Sequence, residues 1–443
     1  MVNQMWVPTE RSESYSNRKR VPTRRYSRSG LRATHLEHPP RAGSRLLSVV
    51  VLLYVAAVPF DLVNLAFGRT LTVPLALILL ITWMGVNLRH HFVLAKLGLP
   101  ELLLFLYVLW ITCTAFWTAS IDSTLQALPG LWLRAALVGV LINSLPGIWM
   151  AALVTLGSSS ALLSLAILVG PTNSSRGDRG GLEGVDENVT ALVLVVGLAC
   201  LVFVASHFGI KATAILAVPL AVIGGAVLRL GSRTGAIAAA AVIVVAILSS
   251  TGLKSGSARA WVRALGIVML ACSTLIFANN KGFIPERVLD LFSENGSFDD
   301  SGRSMIIELY LRTVDKWALF GVGFGADSTY LGQTQSVALN AHSLFWKTWV
   351  EAGLVGLALF LGLLLVVVNR GRGCVCPRAF MILAVPVATF AVTLGGVSTS
   401  AFWFVIAFAL TPGVPTMQPW QGRRTPLSHL QPRLAALGGD TKL

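Results

Sequence analysis

Long apolar runs alternate with short polar stretches along almost the whole chain, and the runs recur at lengths of about 17–25 residues. A helix of about 20 residues crosses the ~30 Å hydrocarbon of a bilayer, so each run reads as a candidate span. The pattern predicts twelve of them, at 46–66, 71–87, 99–117, 129–145, 148–170, 188–206, 211–229, 233–251, 262–279, 343–368, 379–396 and 398–412. The fourth and the last are short. The longest polar interval between spans, about 279–341, has room for a helical cap on the membrane body and no more. The predicted organisation is a basic disordered tail over 1–45, transmembrane helices over 46–278, an extracytoplasmic loop over 279–341, further transmembrane helices over 342–412, and a tail over 413–443. The fold class is thus an all-α polytopic membrane protein.

Composition supports this class. Hydrophobic residues make up 54% of the 443 and charged residues only 12%, about half the charged share of a soluble protein. Charge then tests the span count. With both termini cytoplasmic, the tails and inner loops hold 23 of the 35 Lys and Arg but only 5 of the 20 Asp and Glu. Inner loops such as "NLRHHFVLAK" and "NRGRGCVCPR" carry the positive-inside bias, and one span more or fewer would reverse some of them. The net charge of +15 is therefore an orientation signal for the cytoplasmic membrane, not the footprint of a nucleic-acid binder. The tail 1–45, with ten Lys and Arg against three Glu, suits contact with anionic lipid headgroups.

Cysteine usage adds little. Cys113, Cys200 and Cys272 fall in predicted spans, and the Cys374–Cys376 pair lies in an inner loop, where two thiols alone make a weak metal site. No Walker motif, H-E-x-x-H or G-x-S-x-G occurs, so nucleotide hydrolysis, zinc proteolysis and α/β-hydrolase chemistry have no support. No metal and no cofactor is expected.

The chemistry-bearing residues are those that a membrane should reject. Of seven histidines only His342 is predicted on the outer side, at the head of "HSLFWKTWVEAGLVG", an apolar helix with Lys347 and Glu351 in its first three turns. Outer arginines run against the charge bias and need a local reason. Arg176 and Arg179 lie in "SSRGDRGGLEGVDEN", Arg229 and Arg233 bracket "RLGSR", and Arg303 precedes Arg312 and Lys316. In that last stretch Asp300 or Ser301 can cap a helix whose Met305, Ile306 and Leu309 face the membrane body, while Glu308 and Arg312 pair four residues apart. Arg233 opens a small-residue apolar run with little nearby to pair with. Converging guanidinium groups suit a phosphate or diphosphate. The turn "GVGFG", with Gly323 and Gly325, offers backbone N–H groups to an anion or is simply glycine-rich; Trp346, with Trp317, Tyr330 and Trp349, forms either a sugar-stacking wall or an interfacial belt.

The order of these features resembles the O-antigen ligase and polymerase superfamily, in its Wzy_C signature region. An outer arginine loop ends in an Asn; an S-R turn opens a small-residue span; a long outer loop carries an Arg helix and "W-x-L-F-G-V-G-F-G"; "H-S-L-F-W-K-T-W-V-E-A-G-L-V-G" follows. The likeness is strong over about 301–362 and fair over 176–250. Three departures stand out: His342-Ser343 for the usual H-N, Ala318 where a proline often sits, and "DEN" ending at Asn188 for N-P-N.

The resemblance implies metal-independent glycosyl transfer from an undecaprenyl-diphosphate-linked oligosaccharide to a glycan acceptor, on a GT-C-like helical fold. It implies that His342 is the general base, that Arg303 and Arg233 hold the diphosphate, and that Arg176 or Arg179 assists. A chain-length regulator is a further possible partner. Within the superfamily the Ala-, Gly- and Arg-rich usage suggests a GC-rich bacterial source, and hence a polymerase of glycan repeats. An O-antigen ligase or a protein O-oligosaccharyltransferase is the alternative, and a glycolipid flippase a more distant one. Glu351, roughly 90° off the His342 face of an ideal helix, reads as a structural partner of Lys347.

Overall fold

The computed structural model describes residues 42–62, 70–88, 98–170, 186–251, 303–335, 343–393 and 399–413. The predicted tail 1–45 (but for 42–45), the ninth span at 262–279, most of the tail 413–443, and Arg176, Arg179 and His342 lie outside these residues. Among the described residues there is no β-strand; an isolated bridge joins Cys374 and Pro412.

Eight helices come first: α1 (Ala42–Ala57, continued as a 3-10 turn over Val58–Leu62), α2 (Thr72–Leu88), α3 (Leu99–Cys113), α4 (Ile121–Ser144), α5 (Trp149–Val169), α6 (Glu187–Phe208), α7 (Ile210–Arg229) and α8 (Arg233–Thr251). Three short ones follow, α9 (Arg303–Leu311), α10 (Val314–Trp317) and α11 (Asp327–Gln335). The chain then returns to the bundle with α12 (Leu344–Gly371), α13 (Pro377–Thr393) and α14 (Ser400–Leu410). Six of these, α3 with its 3-10 extension, α4, α5, α6, α7 and α12, are long and apolar enough to cross a membrane. Four more, α2, α8, α13 and α14, are apolar but shorter. This is an integral membrane protein, helical throughout its described residues.

The bundle is organised around α6. A helix that is apolar on every side belongs in an interior, and every α6 residue from Thr190 to Ser206 is buried. Helices α5, α7, α8 and α13 surround it. Close approach to α5 depends on small residues: a Cβ at Gly197 would run into Ser160, and one at Gly157 into Leu201.

Arg229 explains one of the arginines that run against the charge bias. At the C-terminus of α7 it is buried, and its Nη1 donates to the carbonyls of Ile167 and Leu168 while Nη2 donates to that of Gly170 at 2.8 Å. A cation set against the last carbonyls of α5 satisfies orphan acceptors and complements the negative end of the helix dipole.

Three boundaries differ from expectation. The fourth run begins eight residues early, at Ile121 rather than 129, because Ser120 caps the helix by accepting from the Ser123 N–H and Pro129 is absorbed inside it. Helix α14 has only 11 residues, all buried, against the 15 predicted at 398–412. Helix α12 is not continuous: Gly353 has φ 68° and ψ −173°, which interrupts it after Ala352.

Candidate functional site

The break in α12 is filled by the glycine turn. Gly321, Gly323 and Gly325 all have positive φ, a region costly for residues with a Cβ. Room is lacking as well, since a Cβ at Gly321 would strike the Glu351 main chain, one at Gly323 Thr118, and one at Gly353 the Leu319 carbonyl. The turn and the break are built against each other.

Every N–H of residues 321 to 325 is spent inside the protein. Gly321 donates to the Trp317 carbonyl at 2.7 Å, Val322 to the Val350 carbonyl at 2.8 Å and Gly323 to the Glu351 carbonyl at 3.0 Å. Phe324 donates to Thr114 Oγ1 at 3.2 Å, and Gly325 to Glu351 Oε1 at 2.9 Å. This corrects the expectation that Gly323 and Gly325 offer donors to a substrate anion. Gly323 meets the main-chain carbonyl of Glu351 and Gly325 its carboxyl oxygen.

Glu351 is buried, 3% exposed. Lys347 Nζ stands 3.5 Å from its Oε1 and 3.6 Å from Oδ1 of Asp327, which opens α11. One ammonium thus bridges two buried carboxylates, tying α11 to the head of α12. The pairing of Glu351 with Lys347 is as the sequence suggests; the part of Asp327 had no signal in the sequence, because a lone Asp after a glycine turn reads as a helix cap.

A second small core lies beneath. Ile306, Leu309, Tyr310, Trp317, Val322, Leu331 and Val350 pack together. Met305, expected to face inward with Ile306 and Leu309, is instead 53% exposed. The Glu308–Arg312 pair forms as expected, at 2.9 Å on the surface. Burial pushes the Tyr310 hydroxyl well above the usual phenol range, and the carboxylates of Asp327 and Glu351 add to the shift. Trp346 packs edge-on against Trp317 and Trp349, with centroids 6.0 and 5.3 Å away. Its ring is thus engaged in a three-indole cluster. Beside the turn, a groove of about 620 Å³ is lined by Trp110, Trp117, Lys316, Phe320 and Tyr330.

Arg233 stands at a different junction. Ser232 caps α8, its Oγ accepting from the Gly235 N–H at 3.0 Å and donating to Asn188 Oδ1 at 2.7 Å. Asn188 is in the first turn of α6, which Asp186 caps by accepting from the N–H groups of Asn188 and Val189. The S-R turn and the end of "DEN" are therefore in direct contact, and Arg233, half-buried, stands where two helix N-termini meet. Arg303 is the first residue of α9.

Sequence reasoning passed over a further buried charge. Asp61, with a side chain 7% exposed, lies 3.9 Å from Arg134 of α4 and accepts hydrogen bonds from Thr70, Thr72 and Ser400. The signal was present, since Arg134 is an ionisable residue inside an apolar run.

Residues 218–361 match the family model described as O-antigen ligase, Wzy_C. No curated protein and no solved structure matches the chain. The chain carries the signature segment of the O-antigen ligase and polymerase superfamily. The match encloses Arg233, Arg303, Gly323, Gly325, His342 and Trp346, while Arg176 and Arg179 precede it. That match supports, in general terms, glycan transfer of the ligase or polymerase type.

Proposed function

We propose that the protein is a polymerase that transfers lipid-diphosphate-linked glycan repeats onto a glycan acceptor at the outer face of the cytoplasmic membrane. The reading includes twelve spans in a GT-C-like arrangement with both termini cytoplasmic. The observation that supports glycan transfer is the family match over 218–361, which spans the S-R turn, the arginine helix and the histidine motif. The choice of polymerase over ligase rests on the Ala-, Gly- and Arg-rich composition.

The chemistry assigns a role to each residue. A sugar hydroxyl of the acceptor attacks the anomeric carbon of the donor, the bond from that carbon to the phosphate oxygen breaks, and undecaprenyl diphosphate departs. His342 takes the hydroxyl proton; an imidazole with an ordinary pKa near ~6.5 suits that step and contributes about 10²–10⁴-fold. Arg303 and Arg233 stabilise the charge that builds on the diphosphate, each worth a few kcal/mol where well placed. Support for the second of these is its position. Helix N-termini carry partial positive charge, and those of α6 and α8 adjoin Arg233. Arg176 or Arg179 is assigned a supporting place on the same substrate.

The test uses purified protein in detergent with an undecaprenyl-diphosphate glycan. Longer lipid-linked chains with release of undecaprenyl diphosphate are expected. Transfer only to a lipid core or a protein hydroxyl would replace the polymerase reading by ligase or oligosaccharyltransferase. Unchanged glycans with every acceptor would overturn the transfer reading.

A further inference from the structure

We infer that Glu351 is a positioning residue: its carboxylate locks the glycine turn into the break of α12 and so sets where the segment that follows His342 stands. The inference rests on the reading of His342 as the base, and it names a residue that fixes the segment beginning directly after it, at Ser343.

The geometry is specific. Residues 344–352 form a short helical head set off from the rest of α12 by the non-helical Gly353. A head isolated in this way takes its position from its own contacts rather than from the long helix below it. Its first turn is closed by the Lys347 N–H donating to the Ser343 carbonyl at 2.7 Å, directly after His342. Its far end is held by main-chain bonds to the turn, Val322 to Val350 and Gly323 to Glu351, and just past the break the Leu354 N–H donates to the Ala318 carbonyl at 2.9 Å. Trp349 Nε1 adds a bond to the Ala318 carbonyl at 2.9 Å.

One side-chain tie joins the head to the last residue of the turn, from Glu351 Oε1 to the Gly325 N–H at 2.9 Å. Through Lys347 the same carboxylate also reaches Asp327 and hence α11.

Burial of two carboxylates around one ammonium is an expensive way to join helices, since well-packed apolar residues of similar volume hold as well or better. What the carboxylate adds is direction. It supplies an acceptor at a fixed distance for a donor in a left-handed turn, and a displacement of about 1 Å at a reacting group can cost ~10²-fold in rate.

Four forms separate this role from a general contribution to stability. Glu351→Gln keeps an acceptor of the same length and leaves Lys347 paired with Asp327. Glu351→Asp keeps the charge but falls one methylene short of Gly325. Glu351→Ala loses both. For each, and for wild type, kcat and KM are measured with the lipid-diphosphate glycan donor, donor binding is titrated without acceptor, and rates are referred to the monodisperse fraction.

The expected order of kcat is wild type, then Gln within about 5-fold, then Asp and Ala lower by roughly 30-fold or more, with donor affinity within about 3-fold throughout. Asp more active than Gln would mean that charge rather than reach matters, and would overturn the inference. So would a kcat of the Ala form equal to wild type per folded molecule. If Ala does not fold, the Gln and Asp forms still decide. Should wild type transfer nothing, the transfer reading itself falls, an outcome distinct from an active wild type insensitive at Glu351.

Discussion

Asp61 and Ser400, 339 residues apart, are joined by two hydrogen bonds: Asp61 Oδ2 accepts from the Ser400 N–H at 3.1 Å and from its Oγ at 2.7 Å. The other carboxylate oxygen accepts from Thr70 and Thr72, and Arg134 completes the set. One buried carboxylate thus gathers the end of α1, the starts of α2 and α14, and the middle of α4.

Asp61→Ala is expected to lower stability by about 3 kcal/mol, because it leaves several donors and a part-buried guanidinium without their acceptor. Asp61→Asn should lose less, since it retains one acceptor oxygen. Thermal unfolding of the detergent-purified variants measures both, and an Ala form as stable as wild type would remove Asp61 from its place as a hub.

Much of the scaffold was legible because membrane helices are written as runs of apolar residues. Helices α2, α3, α5, α6, α7 and α8 begin within about two residues of the predicted runs, and the small-residue run after Arg233 is α8 itself. What escaped is what depends on contacts distant in sequence. Nothing within "WVEAGLVG" says that Gly353 is left-handed; the Leu319 carbonyl, packed against it, does. For Asp61 the legible part is Arg134 inside an apolar run, while its partner Ser400, at the far end of the chain, is not legible locally. The choice between an anion-binding and a merely glycine-rich turn stays open in the sequence, which shows the donors and not their occupancy by Glu351 and Thr114.

Gly353→Ala tests the break directly. An alanine there carries a positive φ with an extended ψ, a region essentially confined to glycine and costing of order 1–3 kcal/mol, and its Cβ meets the Leu319 carbonyl. The variant is expected to melt at lower temperature, and more so than Gly362→Ala on the same helix, whose added methyl has only ordinary contacts near 3.9 Å. Equal melting temperatures for the two would mean that α12 tolerates a continuous helix.

Cys374 gives a prediction on pH. It lies between α12 and α13, 5% exposed, with the Val375 N–H donating to the Thr411 carbonyl beside it. Burial pushes its thiol up to about 11. The thiolate is the reactive form, so at pH 7.5 Cys374 should alkylate far more slowly than an ordinary thiol near ~8.5. With the folded value raised, its rate should climb about tenfold per pH unit from 7.5 and keep climbing past pH 9.5, where an ordinary thiol has levelled off. Mass spectrometry of maleimide-treated protein reads this, and a plateau near pH 9 would show that the thiol is not held in its protonated form.

The catalytic assignment makes the sharpest demand on side-chain chemistry. His342→Ala and Arg303→Ala are expected to abolish chain growth, by at least about 10²-fold, while the protein still inserts and purifies as a monodisperse species. Arg303→Lys should stay impaired, because an ammonium keeps the charge but cannot reproduce the planar two-donor fork that grips a phosphate. Arg233→Lys should show the same deficit in weaker form, since the N-termini of α6 and α8 remain beside it to supply part of the positive potential. Chain-length distributions of the lipid-linked product, normalised to membrane-inserted protein, measure all four. Full activity of Arg303→Lys would mean that charge alone suffices at that position, and full activity of His342→Ala would require the acceptor proton to leave by another group.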